Sequence, residues 1–207
     1  MTKKELSANR SKEKICSALL YCLSISPFKK ITVKNIVEQA GVNRSTFYKY
    51  YLDKFDLLEF YLEQIITEFR SVTNCDFIKA NKCEIDYPIY CDLFSDILDL
   101  FEKNCETYKI LWNSEIGSDL YQNMIDILQS NILNTIHTDS LFTKDKLSYA
   151  ILYSKLFSYN CMATVRWWME HNDTIDFDTA KNIMKNNMEK GFFQTYRDII
   201  EEGVISS

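Results

Sequence analysis

A chain of 207 residues, 46% hydrophobic and 14% aromatic, is long and apolar enough to bury a core without disulfide staples, which excludes a disordered polypeptide. Four glycines and two prolines are too few for the turns of a β-sandwich or a glycine-rich nucleotide fold, so composition predicts an all-α protein. The net charge of −5 hides a split: residues 1–54 carry eleven basic and four acidic side chains, net +7, and the remainder is net −12. A basic head on an acidic body is an asymmetry that chance explains poorly at this size.

No run of about 18 apolar residues is present, so no membrane span is expected. The N-terminal Met1-Thr2-Lys3-Lys4-Glu5 leads into polar sequence and not an apolar signal core. Seven cysteines, at 16, 22, 75, 83, 91, 105 and 161, are odd in number and form no CxxC pair, which predicts reduced thiols and a cytoplasmic protein.

Helical spacing of Ile15, Leu19, Cys22 and Leu23 predicts a first helix over 9–25, stopped at Ser26-Pro27. Phe28 to Ile31 is a short link. Thr32 is a good N-cap for a second helix, Val33 to Ala40, and Gly41 suits its left-handed C-terminal position. Asn43 is the expected cap of a third helix, Arg44 to Tyr51. Asp53 is the expected cap of a fourth, which carries Phe55, Leu58, Leu62, Ile65, Ile66 and Phe69 to about residue 72. Residues 73–88, with Pro88, read as a hinge. Helical stretches are predicted beyond it at 89–104, 107–113, 116–137, 143–171 and 176–202.

Two short helices joined around Gly41-Val42-Asn43 form a helix-turn-helix candidate, whose second helix would enter the DNA major groove. At about 100° per residue, Phe47 and Tyr51 point to one side, while Ser45, Thr46, Lys49 and Tyr50 occupy the opposite arc. One face can therefore pack inward. The other offers hydroxyls, a cation and an aromatic, with Arg44 at the N-terminal end, which suits phosphates and base edges.

The run from Phe28 to Tyr51, followed by Asp53-Lys54-Phe55-Asp56-Leu57-Leu58, closely resembles the TetR/AcrR family of bacterial transcriptional regulators, strongly over about residues 10–65 and more weakly over the body. The resemblance implies a DNA-binding head, 1–54, with its helix-turn-helix at about 32–51. It further implies a connecting helix, 55–72, and an effector-binding and dimerisation domain, 73–207. It implies a homodimer on a palindromic double-stranded operator, joined through the last two long helices, 143–171 and 176–202, and a repressor released by a small-molecule effector. Position by position, it implies phosphate contacts for Thr32, Tyr48 and Lys54. Lys34 would reach toward the major groove, Arg44, Ser45 and Thr46 would face bases, and Lys49 and Tyr50 would face DNA. Phe47 and Tyr51 match core positions. A helical co-regulator acting through a protein partner is the alternative.

No catalytic constellation is legible: GxSxG, P-loop, GxGxxG and HExxH are all absent, and the two histidines, His137 and His171, are 34 residues apart. No cofactor or metal site is expected. Cys75, Cys83 and Cys91, spaced by eight, read as small apolar fillers, with a soft-metal or oxidant sensor as the other reading. The body's aromatics divide between core and a ligand pocket in a way the sequence leaves open.

Overall fold

The computed structural model describes residues 3–73, 75, 96–140, 142–181 and 191. The protein is all-α, and the described residues contain no strand. The chain divides into two compact units, residues 1–68 with 106–121, and residues 69–105 with 122–207. The first unit is thus larger than the expected head.

In the first unit, α1 spans Lys3–Ile25 and starts six residues before the predicted 9. The apolar period only becomes legible at Ile15, yet nothing in the preceding polar residues breaks a helix. Ile15, Ala18, Leu19 and Cys22 form its buried face. Its last turn closes with Ser26 N–H donating to the Cys22 carbonyl at 3.0 Å, just before Pro27. Phe28–Lys30 makes one 3-10 turn, with Phe28 buried.

Helix α2 spans Val33–Ala40, as predicted. Thr32 and Asn35 cap it reciprocally: the Asn35 N–H donates to Thr32 Oγ1 at 3.2 Å, and the Thr32 N–H donates to Asn35 Oδ1 at 2.9 Å. At the other end Gly41 has φ 65°, Gly41 N–H donates to the Glu38 carbonyl and Val42 N–H to the Val37 carbonyl. That pair of bonds is a Schellman motif, which satisfies carbonyls the helix leaves open.

Helix α3 is Arg44–Tyr48, three residues shorter than predicted. The Tyr50 N–H bonds the Phe47 carbonyl at 2.9 Å, an i→i−3 bond in place of the helical bond to Thr46, so the regular ladder is interrupted there, although Tyr51 N–H still reaches the same carbonyl at 3.0 Å. Asn43 gives no side-chain cap. Its carbonyl accepts from Thr46 and Phe47, and the backbone alone starts the helix.

Helix α4 is Lys54–Val72, and its predicted cap is present: Asp53 Oδ1 accepts from the N–H groups of Phe55 and Asp56 at 2.8 and 2.9 Å. Asp56 returns the bond, accepting from Leu52 N–H at 2.7 Å. Phe55, expected on the apolar stripe, is 61% exposed, and Leu57 takes the core position, with Leu58 and Ile65 also buried. Helix α5, Cys105–Asn113, belongs to the first unit from residue 106 onward, and Tyr108 and Leu111 are its buried residues. A side-chain hydrogen bond joins Tyr61 of α4 to Thr107 of α5. The helix predicted from 116 begins at Leu120, because Gly117 adopts φ 77° and breaks the run.

In the second unit, residues 96–103 are helical, and Phe101 lies against Phe69 with ring centroids 5.9 Å apart. Helix α6 spans Leu120–His137 and helix α7 spans Leu147–His171, the latter introduced by a 3-10 turn at Lys144–Lys146. Helix α7 buries Phe157, Cys161, Met162, Val165 and Trp168 along one side. The other side exposes Ile151, Leu152, Leu156 and Tyr159. Asn131 Nδ2 donates to Thr73 Oγ1 at 2.7 Å. Trp168 Nε1 donates to the Ile175 carbonyl at 3.2 Å, and Lys181 pairs with Asp99 at 2.8 Å. Of the predicted hinge, Thr73 and Cys75 are buried, and its remaining residues lie outside the described ones. Residues 89–95, Cys83, Cys91 and, apart from Gly191, residues 182–202 lie outside them too. The predicted final helix is therefore described over 177–181 and at Gly191.

Candidate nucleic-acid interface

The face that α3 presents outward follows from what it buries. Phe47 is 0% exposed and Tyr51 is also buried, as the 100° rule requires. Their rings lie 5.6 Å apart, and Tyr51 packs on Phe60 of α4 at 5.4 Å. With that face inward, Arg44, Ser45, Tyr48 and Lys49 are exposed, while Thr46 and Tyr50 are half-buried. Tyr48 is 56% exposed, and its ring meets Phe47 edge-on at 5.4 Å, a contact that orients the phenol.

On α2, Thr32 and Lys34 are both exposed. The Thr32 hydroxyl donates to Asn35 Oδ1 as well as accepting from Asn35 N–H, so it is held in the capping box. Lys34 leans toward Glu38 at 3.8 Å, an exposed pair that leaves the ammonium nearly free in energetic terms.

Lys54 departs from the expected outward contact. Its ammonium is turned inward, donating to the carbonyls of Ile31 at 2.7 Å, Phe28 at 2.9 Å and Lys29 at 3.4 Å. It also lies over the rings of Phe28, at 4.6 Å, and Phe55, at 5.3 Å. An ammonium has three donors, and all three have acceptors inside the head. Lys54 is a tether between the start of α4 and the turn before α2.

One cation that the pattern of residues 44–51 does not reveal joins this surface. Lys12, on α1, stands 5.7 Å from the Tyr50 ring and 5.1 Å from the Phe60 ring. Lys49 stands 5.3 Å from the same Tyr50 ring. One turn further along α1, Cys16 Sγ is 3.9 Å from Tyr51 Oη. Burial raises the pKa of both this thiol and this phenol, so both are protonated near neutrality. The sequence signal for Lys12 is only its place in the basic head, because its ring partners are 38 and 48 positions away.

Two open grooves flank α1, each of about 400 Å³. One includes Arg10, Lys14, Gln39 and Ala40; the other includes Lys12, Cys16, Phe60 and Gln64. Among the described residues no group of three or more His, Cys, Asp or Glu could hold a metal ion, and no helix is long and apolar enough to cross a membrane. No protein-family model matches the chain, and a comparison with curated proteins finds no significant match.

Proposed function

We propose that the protein is a sequence-specific DNA-binding transcriptional regulator whose head reads the major groove with α3. The observation that carries this reading is the arrangement of α2, the Schellman turn at Gly41 and α3. Phe47 and Tyr51 are buried, which leaves Arg44, Ser45, Tyr48 and Lys49 exposed on a segment of net charge +7. Arg44 and Ser45 at the start of α3 supply donors for base edges, Arg44 in bidentate form to guanine. Tyr48, Lys49 and Lys34 supply phosphate contacts, which position the helix and give no sequence information.

A single head covers little DNA, so the reading includes a two-fold dimer whose heads lie about 34–36 Å apart on a palindromic operator. The exposed apolar residues of α7, Ile151, Leu152 and Leu156, support pairing through that helix. Release by a small-molecule effector, and so a repressor working in the cytoplasm, completes the proposal. Such an effector would favour a body conformation in which the heads are badly spaced for DNA.

The test is binding of the full chain to the duplex upstream of its own gene, against a random duplex of equal length, over a salt series. The expected result is a preference for the upstream duplex and a steep loss of affinity with salt. Equal and weak binding to both duplexes would leave the protein-partner alternative, a helical co-regulator, in its place.

A further inference from the structure

We propose that Lys12, outside the helix-turn-helix, is a positioning residue that sets the orientation of the recognition helix through the Tyr50 ring; this rests on the DNA-binding reading above.

The argument begins with the length of α3. Five residues, Arg44–Tyr48, are too few for a helix to hold its own direction. Beyond Tyr48 the backbone bonds turn irregular: Lys49 N–H reaches the Ser45 carbonyl, while Tyr50 and Tyr51 share the Phe47 carbonyl. Side chains add to these few bonds in fixing the end of the recognition segment. On the inner side Tyr51 does so, buried against Phe47 and Phe60. On the outer side the half-buried Tyr50 ring has two cations within reach, Lys49 at 5.3 Å and Lys12 at 5.7 Å.

The two cations are not equivalent. Lys49 is exposed and sits on the recognition segment itself, so a DNA phosphate would draw it away from the ring. Lys12 is half-buried on α1, and its ammonium also lies 5.1 Å from the ring of Phe60 on α4. It remains on Tyr50 when Lys49 leaves. With Cys16 one turn on, α1 holds both consecutive tyrosines: Lys12 takes Tyr50, and Cys16 takes Tyr51 at 3.9 Å. Tilting α3 moves Arg44 relative to base edges, so loss of this hold reduces discrimination more than it reduces general affinity.

The experiment uses the full chain with Lys12→Met, Lys12→Arg, Tyr50→Leu and the Lys12→Met/Tyr50→Leu pair. Affinities are measured for the upstream duplex and a random duplex across a salt series. Lys12→Met is expected to lower the ratio of specific to random affinity by about two- to fivefold, the size of an exposed cation–ring contact. Lys12→Arg should restore the ratio, since a guanidinium also sits over a ring. In the Tyr50→Leu background, Lys12→Met should leave the ratio unchanged. The Lys12 side-chain methylene protons next to the ammonium should show an upfield ring-current shift in NMR spectra that Tyr50→Leu reduces.

Equal weakening on both duplexes, with a salt slope smaller by about one and the ratio intact, would make Lys12 a phosphate contact and overturn the proposal. An unchanged ratio and an unchanged salt slope would overturn it as well. Wild-type protein that prefers no duplex overturns the DNA-binding reading and the positioning role together. In contrast, a wild-type preference that Lys12→Met leaves undiminished overturns the positioning role alone.

Discussion

The Lys54 ammonium donates to the carbonyl of Ile31 at 2.7 Å, across 23 residues of chain. Ile31 immediately precedes Thr32, the cap of α2, so this bond sets the start of α2 against the start of α4. The carbonyls of Phe28 and Lys29, in the 3-10 turn before α2, converge on the same ammonium, the Phe28 carbonyl also accepting from Ile31 N–H at 3.1 Å.

Lys54→Met should therefore act on stability first. It removes the charged donor from a part-buried site and leaves the Ile31 carbonyl short of its partner, at a cost of about 1–3 kcal/mol. Urea denaturation reads that loss. The salt slope of DNA binding should stay as in the wild type. A slope smaller by about one, with stability unchanged, would return Lys54 to the outward phosphate contact that the family resemblance implies.

Phe47→Ala should destabilise the first unit by about 3–5 kcal/mol, since the side chain is fully buried and ringed by Tyr48 and Tyr51. A loss of that size is a large part of a domain's stability, so DNA binding should fall with it. Thermal unfolding and binding measured on the same preparation check both halves. An unchanged melting temperature with intact binding would mean that the register of α3 is wrong.

The residues of local pattern were legible in the sequence, and the residues of long-range contact were not. Val33 and Ala40 as the ends of α2, Gly41 as its left-handed stop and Asp53 as the next cap all follow from rules acting within four residues. The inward pointing of Phe47 and Tyr51 follows from the helical angle alone. Phe55 fails that same test, because the first turn of α4 points it outward, edge-on to Phe28 at 5.4 Å. The roles of Lys54 and Lys12 depend on partners 23 to 48 positions away, and a flexible lysine leaves no periodic trace of where its ammonium ends. Asn43 was a reasonable cap by residue type, yet its side chain makes no capping bond.

Arg44→Ala and Tyr48→Phe should separate base reading from backbone contact. Both side chains are exposed, so neither substitution should lower stability by more than about 0.5 kcal/mol. Arg44→Ala should cost about 1–3 kcal/mol on the preferred duplex and much less on random sequence. Tyr48→Phe removes one hydroxyl and should weaken binding to every duplex by about 1 kcal/mol. Competition between specific and random duplexes measures the difference. A fall in the specificity ratio for Tyr48→Phe, with none for Arg44→Ala, would reverse the two roles.

The first unit should lose stability in alkali. Burial raises the pKa of the Cys16 thiol above its ordinary 9.0, even though Tyr51 hydrogen-bonds it. Burial raises the phenols of Tyr51, Tyr61 and Tyr108 above 10.0, with the neighbouring Cys16 adding to the shift at Tyr51 and Tyr61, and Glu68 adding at Tyr108. For each group the folded state prefers the neutral form. The unfolded chain releases these protons at lower pH than the folded protein does, so unfolding is favoured as pH rises. Below pH 9 both states hold their protons and these groups leave stability independent of pH. Above pH 9 for the thiol, and above pH 10 for the phenols, stability declines until the folded groups ionise in turn. Urea midpoints should therefore be flat from pH 7 to about 8.5 as far as these groups determine them, then fall steadily toward pH 11. Tyr51→Phe removes one contributor and should make that fall shallower. A midpoint that does not change between pH 8 and 11 would mean that water reaches these phenols, and that the contact between Cys16 and Tyr51 is open.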